Sequence, residues 1–73
     1  DMPEVHLGAA PKNIVHALRE AGLAASGSEA QRSIAQRGVR VDGVRVEDRG
    51  LELDAGTYVL QIGKRRFARV TLD

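Results

Sequence analysis

The chain reads as one small α+β domain, with two short helices packed on a small, mostly antiparallel β-sheet. Three observations predict this. Residues 11–37 hold two helix-patterned segments, each followed by a glycine and an apolar residue (Gly22-Leu23 and Gly38-Val39). At Val39 the hydrophobic period shifts from about 3.6 residues to about 2. Finally, Val39, Val41, Val44 and Val46 flank Asp42-Gly43, among the strongest short hairpin signals. A length of 73 residues leaves room for one domain. So short a chain buries only roughly 60% of the surface its unfolded form exposes. Without cysteine it has neither a disulfide nor a thiolate-held zinc to staple that thin core.

Asp1–Ala10 has no sustained periodicity, contains Pro3 and Gly8, and reads as a linker or arm, which leaves residues 11–73 as the folded domain. Pro11 suits a first helical turn, where a missing N–H costs nothing. Ile14, Val15, Leu18 and Ala21 recur at helical spacing, predicting a helix over Pro11–Ala21 closed by Gly22 as a left-handed cap. Ser26-Gly27-Ser28-Glu29 is a capping box that opens a second helix, which runs to Arg37 and is closed in the same way by Gly38. After the Asp42-Gly43 hairpin, Glu47–Gly50 is a turn, and Leu51 and Leu53 form a short core-facing piece. Asp54-Ala55-Gly56 is another turn. Thr57–Ile62 and Phe67–Leu72 alternate as a second hairpin across Gly63-Lys64-Arg65-Arg66, a turn of two or four loop residues.

Composition narrows function. With 42% hydrophobic and 29% charged residues, the chain has the balance of a globular domain rather than a disordered one. No apolar run approaches membrane-spanning length. The lack of a signal pattern and of cysteine fits a cytoplasmic setting, and a start at Asp1 rather than Met suggests a piece of something longer. Catalysis has little to work with: there is no thiol, and His6 and His16 show neither metal-ligand nor nucleophile–base spacing. His6-Leu7-Gly8-Ala9 and Gly63-Lys64 are only superficially like nucleotide-binding motifs. The second lacks both the upstream glycine and the following Ser or Thr. No catalytic residue, metal site or cofactor is expected in this domain.

The cations say more. A formal net charge of +1 hides a basic end, where Lys64, Arg65, Arg66 and Arg69 face only Asp73. A two-residue turn at Asp42-Gly43 sets Arg40 opposite Arg45, an unfavourable pair unless something negative lies over it. Glu47, Asp48 or Glu29 folding across as a counter-ion and a phosphate answer the geometry equally well. Arg32, Gln36 and Arg37 add polar reach beside the hairpin, so helix, hairpin and basic turn form a stripe suited to tracking phosphates. With only Tyr58 and Phe67 as aromatics, folded RNA is a better partner than a loose strand whose bases need several rings.

A resemblance supports this. Glu20-Ala-Gly-Leu-Ala-Ala-Ser-Gly-Ser-Glu-Ala30, then Arg32, Ile34 and Gln36, then Gly38-Val-Arg-Val-Asp-Gly43, resembles the RNA-binding fold named for small-subunit ribosomal protein four, here termed S-four-like. Tyr58-Val-Leu-Gln-Ile-Gly-Lys-Arg-Arg-Phe-Ala-Arg-Val70 is similar to the C-terminal strands of bacterial-type tyrosyl-tRNA synthetases. Pro3-Glu4-Val5 resembles the linker before that domain. The resemblance implies a non-catalytic domain that grips tRNA-Tyr near the anticodon stem and long variable arm. It would belong to a homodimeric ligase that uses ATP and tyrosine elsewhere, the isolated domain being a monomer. By position, the RNA contacts it implies are Ser28, Arg32, Gln36, Arg37, Arg40, Arg45, Lys64, Arg65 and Arg66. Asp42 stands where that family usually has Asn. The alternatives are an S-four-like module of another RNA-modifying or ribosome-associated protein, and a protein-interaction module that uses the basic patch.

Overall fold

The computed structural model describes residues 2–73. Nine elements follow one another: β1 (Glu4–Gly8), β2 (Lys12–Asn13), α1 (Ile14–Glu20), α2 (Gly27–Ala35), β3 (Val39–Val41), β4 (Val44–Arg45), β5 (Glu52–Leu53), β6 (Gly56–Ile62) and β7 (Arg66–Leu72). Five strands form the main sheet in the order β1-β7-β6-β3-β4, and β2 pairs with β5 in a small second sheet. Both helices cover one face of the main sheet. There Ile14, Ala17, Leu18, Ala30 and Ile34 pack with Val39, Leu60, Ile62, Ala68, Val70 and Leu72, all buried. This is the expected S-four-like α+β arrangement.

The linker reading of Asp1–Ala10 is corrected for residues 4–8; Asp1 itself lies outside the described residues. Glu4–Gly8 is an edge strand parallel to β7, with Val5 beside Val70 and a register shift between His6 and Gly8. Its alternation sends Leu7 into the core at 7% exposure, and Asp73 N–H donates to the Gly8 carbonyl at 2.8 Å.

The first helix also starts later than its pattern predicts. Asn13 is the N-cap, its Oδ1 accepting from Val15 N–H at 2.9 Å, while Lys12 and Asn13 pair with Leu53 and Glu52. Pro11 therefore precedes the helix rather than opening it. The helix ends as predicted: Leu23 N–H reaches the Leu18 carbonyl at 3.0 Å and Gly22 N–H that of Arg19 at 3.1 Å, with Gly22 at φ +80°. These are the paired bonds of a Schellman cap.

In α2 the capping box forms with a small change of partner. Glu29 N–H donates to Ser26 Oγ at 3.1 Å, and Glu29 Oε2 accepts from Ala25 N–H at 3.2 Å. At its other end the same Schellman pair recurs, Gly38 N–H to Ser33 at 2.9 Å and Arg37 N–H to Ile34 at 3.0 Å. Here Arg37, not Gly38, holds the left-handed position, at φ 63°. The helix is one residue shorter than the glycine implies.

The hairpin has the expected register, Val41 opposite Val44 and Arg40 opposite Arg45. Asp42 (φ 50°) and Gly43 (φ 85°) make the doubly left-handed turn that matches strand twist. The valines share the helix-side face, yet only Val39 and Val46 are buried, and Val44 is 70% exposed at the sheet edge. The last turn has three loop residues, since Ile62 pairs with Arg66.

Candidate nucleic-acid interface

Strand register sorts the cations by face. On β6 and β7, Leu60, Ile62, Ala68 and Val70 point to the helices. By alternation Gln61, Phe67 and Arg69 point to the other face, as Arg40 and Arg45 do on the hairpin. Ser28, Arg32 and Gln36 follow one another at four-residue steps on the side of α2 opposite buried Ala30 and Ile34. The expected stripe therefore does not lie on one surface. One part crowns the helix layer, the other lies beneath the sheet, and the edge between them carries Arg37 and Lys64.

That edge is stitched by backbone. Gly63 N–H donates to the Gly38 carbonyl at 2.8 Å, and Gln61 Nε2 to the Gly63 carbonyl at 2.7 Å. The end of α2 is thereby fastened to the β6–β7 turn. A groove of about 350 Å³ results, in which Arg37, Arg40 and Lys64 converge with Gln61 and three glycines. Among the described residues no carboxylate lines it. Arg37 takes a left-handed backbone conformation, φ 63°, that glycine adopts more cheaply.

Of the local counter-ions considered for the hairpin arginines, Glu29 and Asp48 have hydrogen-bond partners of their own, while Glu47 is in no ion pair among the described residues. Glu29 caps α2 and lies 3.8 Å from Arg66, and Asp48 Oδ1 accepts from Gly50 N–H at 2.7 Å. Glu47 and Asp48 border one groove against α2 with Gln31 and Arg49, and a second groove in which Arg45 lies with them and with Glu52 and Asp54. Among the described residues neither Arg40 nor Arg45 is in an ion pair. Arg40 Nη1 makes one bond, to the Gly43 carbonyl at 3.3 Å. Asp42 Oδ1 accepts from Val59 N–H at 2.8 Å, so this acid is a structural acceptor tying the turn to β6.

Of the nine expected contact residues, Arg37, Arg40 and Lys64 share the groove, and Arg45 adjoins it through its pairing with Arg40. Ser28, Arg32 and Gln36 are exposed but do not line it. Arg65 borders a different cleft with Phe67. Arg66 turns to the helix side, where Nη1 donates to the Leu23 carbonyl at 2.8 Å, so it holds the inter-helix loop to the sheet. Gln61 was not anticipated. The signal was present, since it sits one strand over from Arg40 on the same face, but it required the β3–β6 register, which no local pattern specifies.

A two-helix, mostly antiparallel sheet domain with a cationic edge is the S-four-like arrangement that the sequence predicts. The family model described as Tyrosine–tRNA ligase SYY-like C-terminal domain matches residues 1–70, and the chain belongs to that family. Curated relatives named Tyrosine–tRNA ligase include that of Bordetella pertussis, 68% identical over 72 residues, covering 99% of this chain and 18% of the relative. That of Burkholderia thailandensis is 56% identical over 72 residues (99% and 17%), and that of Ralstonia nicotianae 53% over 73 residues (100% and 19%). The chain thus spans less than a fifth of the length of these relatives. No helix among the described residues is long and apolar enough to cross a membrane.

Proposed function

We propose that this domain is the non-catalytic tRNA-holding part of a cytoplasmic tyrosine–tRNA ligase, whose ATP and tyrosine chemistry belongs to the rest of a dimeric enzyme. Its ligand is folded tRNA-Tyr, held through phosphates near the anticodon stem and long variable arm. The observation that carries this reading is the acid-free groove in which Arg37, Arg40 and Lys64 meet. Arg45 lies next to it as the cross-strand partner of Arg40, at the border of a groove that also holds Glu47, Asp48, Glu52 and Asp54. Arg65, Ser28, Arg32 and Gln36 offer outlying contacts on two further surfaces. Arg66 serves the fold instead.

Each phosphate neutralised releases counter-ions, so log affinity for tRNA falls with log salt by somewhat under one unit per contact. Four to six contacts correspond to a slope of roughly −3 to −5. Replacing Arg40 and Arg45 together by Gln is expected to flatten the slope by about two units with the fold intact. Fluorescence titrations of both proteins across salt measure it. An unchanged slope would remove the hairpin from the binding surface.

A further inference from the structure

We propose that the uncovered face of the main sheet holds a subsite for one unpaired RNA base, with the Phe67 ring as its stacking platform; this rests on the RNA-binding reading above. Register carries the inference. Arg45 pairs with Arg40, Arg40 with Gln61, and Gln61 with Phe67, so four strands set these side chains in one row on one face. With strands about 4.8 Å apart, the row runs roughly 14 Å from the outer arginine to the ring. It presents two guanidinium groups, an amide and an aromatic face, in that order. A nucleotide presents phosphate, polar base edge and π-surface, the complement of that series.

The rest of the face is different. In the next row Val59 pairs with Arg69 and Arg69 with Glu4, whose carboxylate lies 3.8 Å from Arg69 Nη1. Beyond it Thr57 and Thr71 meet hydroxyl to hydroxyl at 3.2 Å beside His6. Among the described residues, arginines without an ion pair and a ring coincide only in the first row. Gln61 spends Nε2 on the Gly63 carbonyl, which leaves its amide oxygen as an acceptor for a base amino group.

Phe67 is also in an unusual place. The other aromatic residue, Tyr58, alternates to the helix side and anchors its hydroxyl on the Asp54 carbonyl at 3.0 Å. Phe67 lies half-buried on the face that no helix covers, against the burial preference of its type. Beside it is a cleft of about 470 Å³ bordered by Met2, Pro3 and Arg65. A planar base resting on the ring would present its other face to the Arg65 guanidinium, a group that stacks on π-systems. One ring serves one base, so the subsite suits a bulged or flipped nucleotide on a duplex otherwise gripped by phosphates, not a continuous single strand.

The test uses two RNA hairpins of equal charge within the footprint, one fully paired and one with a single bulged 2-aminopurine. The chain is expected to bind the bulged hairpin about fivefold or more tighter, with a fluorescence change as the base stacks. Phe67→Leu is expected to remove both the preference and the fluorescence change while keeping the salt slope, and Phe67→Trp to retain both. Equal binding of the two hairpins by the unmodified chain would overturn the subsite, as would a preference that survives in Phe67→Leu. In either case a slope that flattens in the Arg40/Arg45 double variant leaves the phosphate-binding reading standing. No salt-dependent binding of either hairpin would overturn both.

Discussion

Arg37 and Gly38 show what a single position contributes. A Gly-Val pair after a helix ordinarily means glycine in the left-handed cap, as Gly22-Leu23 confirms at φ +80°. At the second helix the Gly38 carbonyl must instead accept from Gly63, so the left-handed residue falls one place earlier, on Arg37. That demand comes from a turn 25 positions away and is invisible to local pattern. Gly22→Ala is therefore expected to destabilise by about 1 kcal/mol, since its Cβ is strained there. Gly38→Ala is expected to cost clearly less: it has no positive φ, and its Cβ would meet Ser33 O at an ordinary 3.5 Å. Denaturant melts of the two variants give the comparison. Asp42 follows the same logic, with a left-handed φ of 50° and an Oδ1 that satisfies Val59 N–H. Asp42→Ala loses both and is expected to cost about 1–3 kcal/mol. Asp42→Asn keeps the acceptor and the turn, and is expected to leave stability within about 0.5 kcal/mol. Removing a negative charge beside the groove, it is also expected to tighten tRNA binding in the same titrations.

At the scale of elements, what could be read from sequence was what is decided locally. The first hairpin was legible to the residue because turn chemistry and valine alternation specify one register together. The capping box was legible for the same reason. The start of α1 was not, because Asn13 serves as N-cap while its Nδ2 donates to the Arg49 carbonyl at 2.9 Å, a partner 36 residues on. Strand β1 was hidden for a related reason. Glu4-Val5-His6-Leu7 alternates for only four residues, and its partner is the last strand of the chain. The consequence is measurable. A chain beginning at Pro11 would leave β7 an open edge and uncover the surface that Leu7 and Val5 cover. It is expected to melt well below the full chain or fail to fold. Leu7→Ala in the full chain is expected to cost about 2–4 kcal/mol, as deletion of a buried leucine does. If residues 1–10 were only a linker, both changes would be silent in thermal melts.

Across the whole molecule the cations divide into those bonded within the fold, such as Arg66 and Lys12, and those in no ion pair among the described residues, such as Arg37, Arg40 and Lys64. The basic turn looks uniform as Lys64-Arg65-Arg66, but strand alternation and the three-residue loop send its members to different places. Lys64 faces the acid-free groove, Arg65 the cleft beside Phe67, and Arg66 the loop between the helices. The candidate site was thus legible as a set of residues and not as a surface, because membership depends on composition while placement depends on register. Stability and binding should separate accordingly. Arg66→Gln loses a charged hydrogen bond to the Leu23 carbonyl from a side chain still 56% exposed, so the cost is expected near the low end, about 1 kcal/mol. In a domain of this size that lowers Tm by roughly 4–8 °C. Its effect on the salt slope for tRNA is expected to be small. Lys64→Gln breaks no side-chain bond among the described residues, so Tm is expected to stay unchanged while the slope flattens by about one unit. The Arg40/Arg45 double variant gives up the long, exposed Arg40 bond to the Gly43 carbonyl but no longer sets two like charges opposite each other. Its stability is therefore expected to change by less than about 1 kcal/mol while its slope flattens. Calorimetry and salt titration on these three variants map the two roles independently. Should Arg66→Gln flatten the slope as much as Lys64→Gln at unchanged Tm, the division would be wrong and the whole turn would face the RNA.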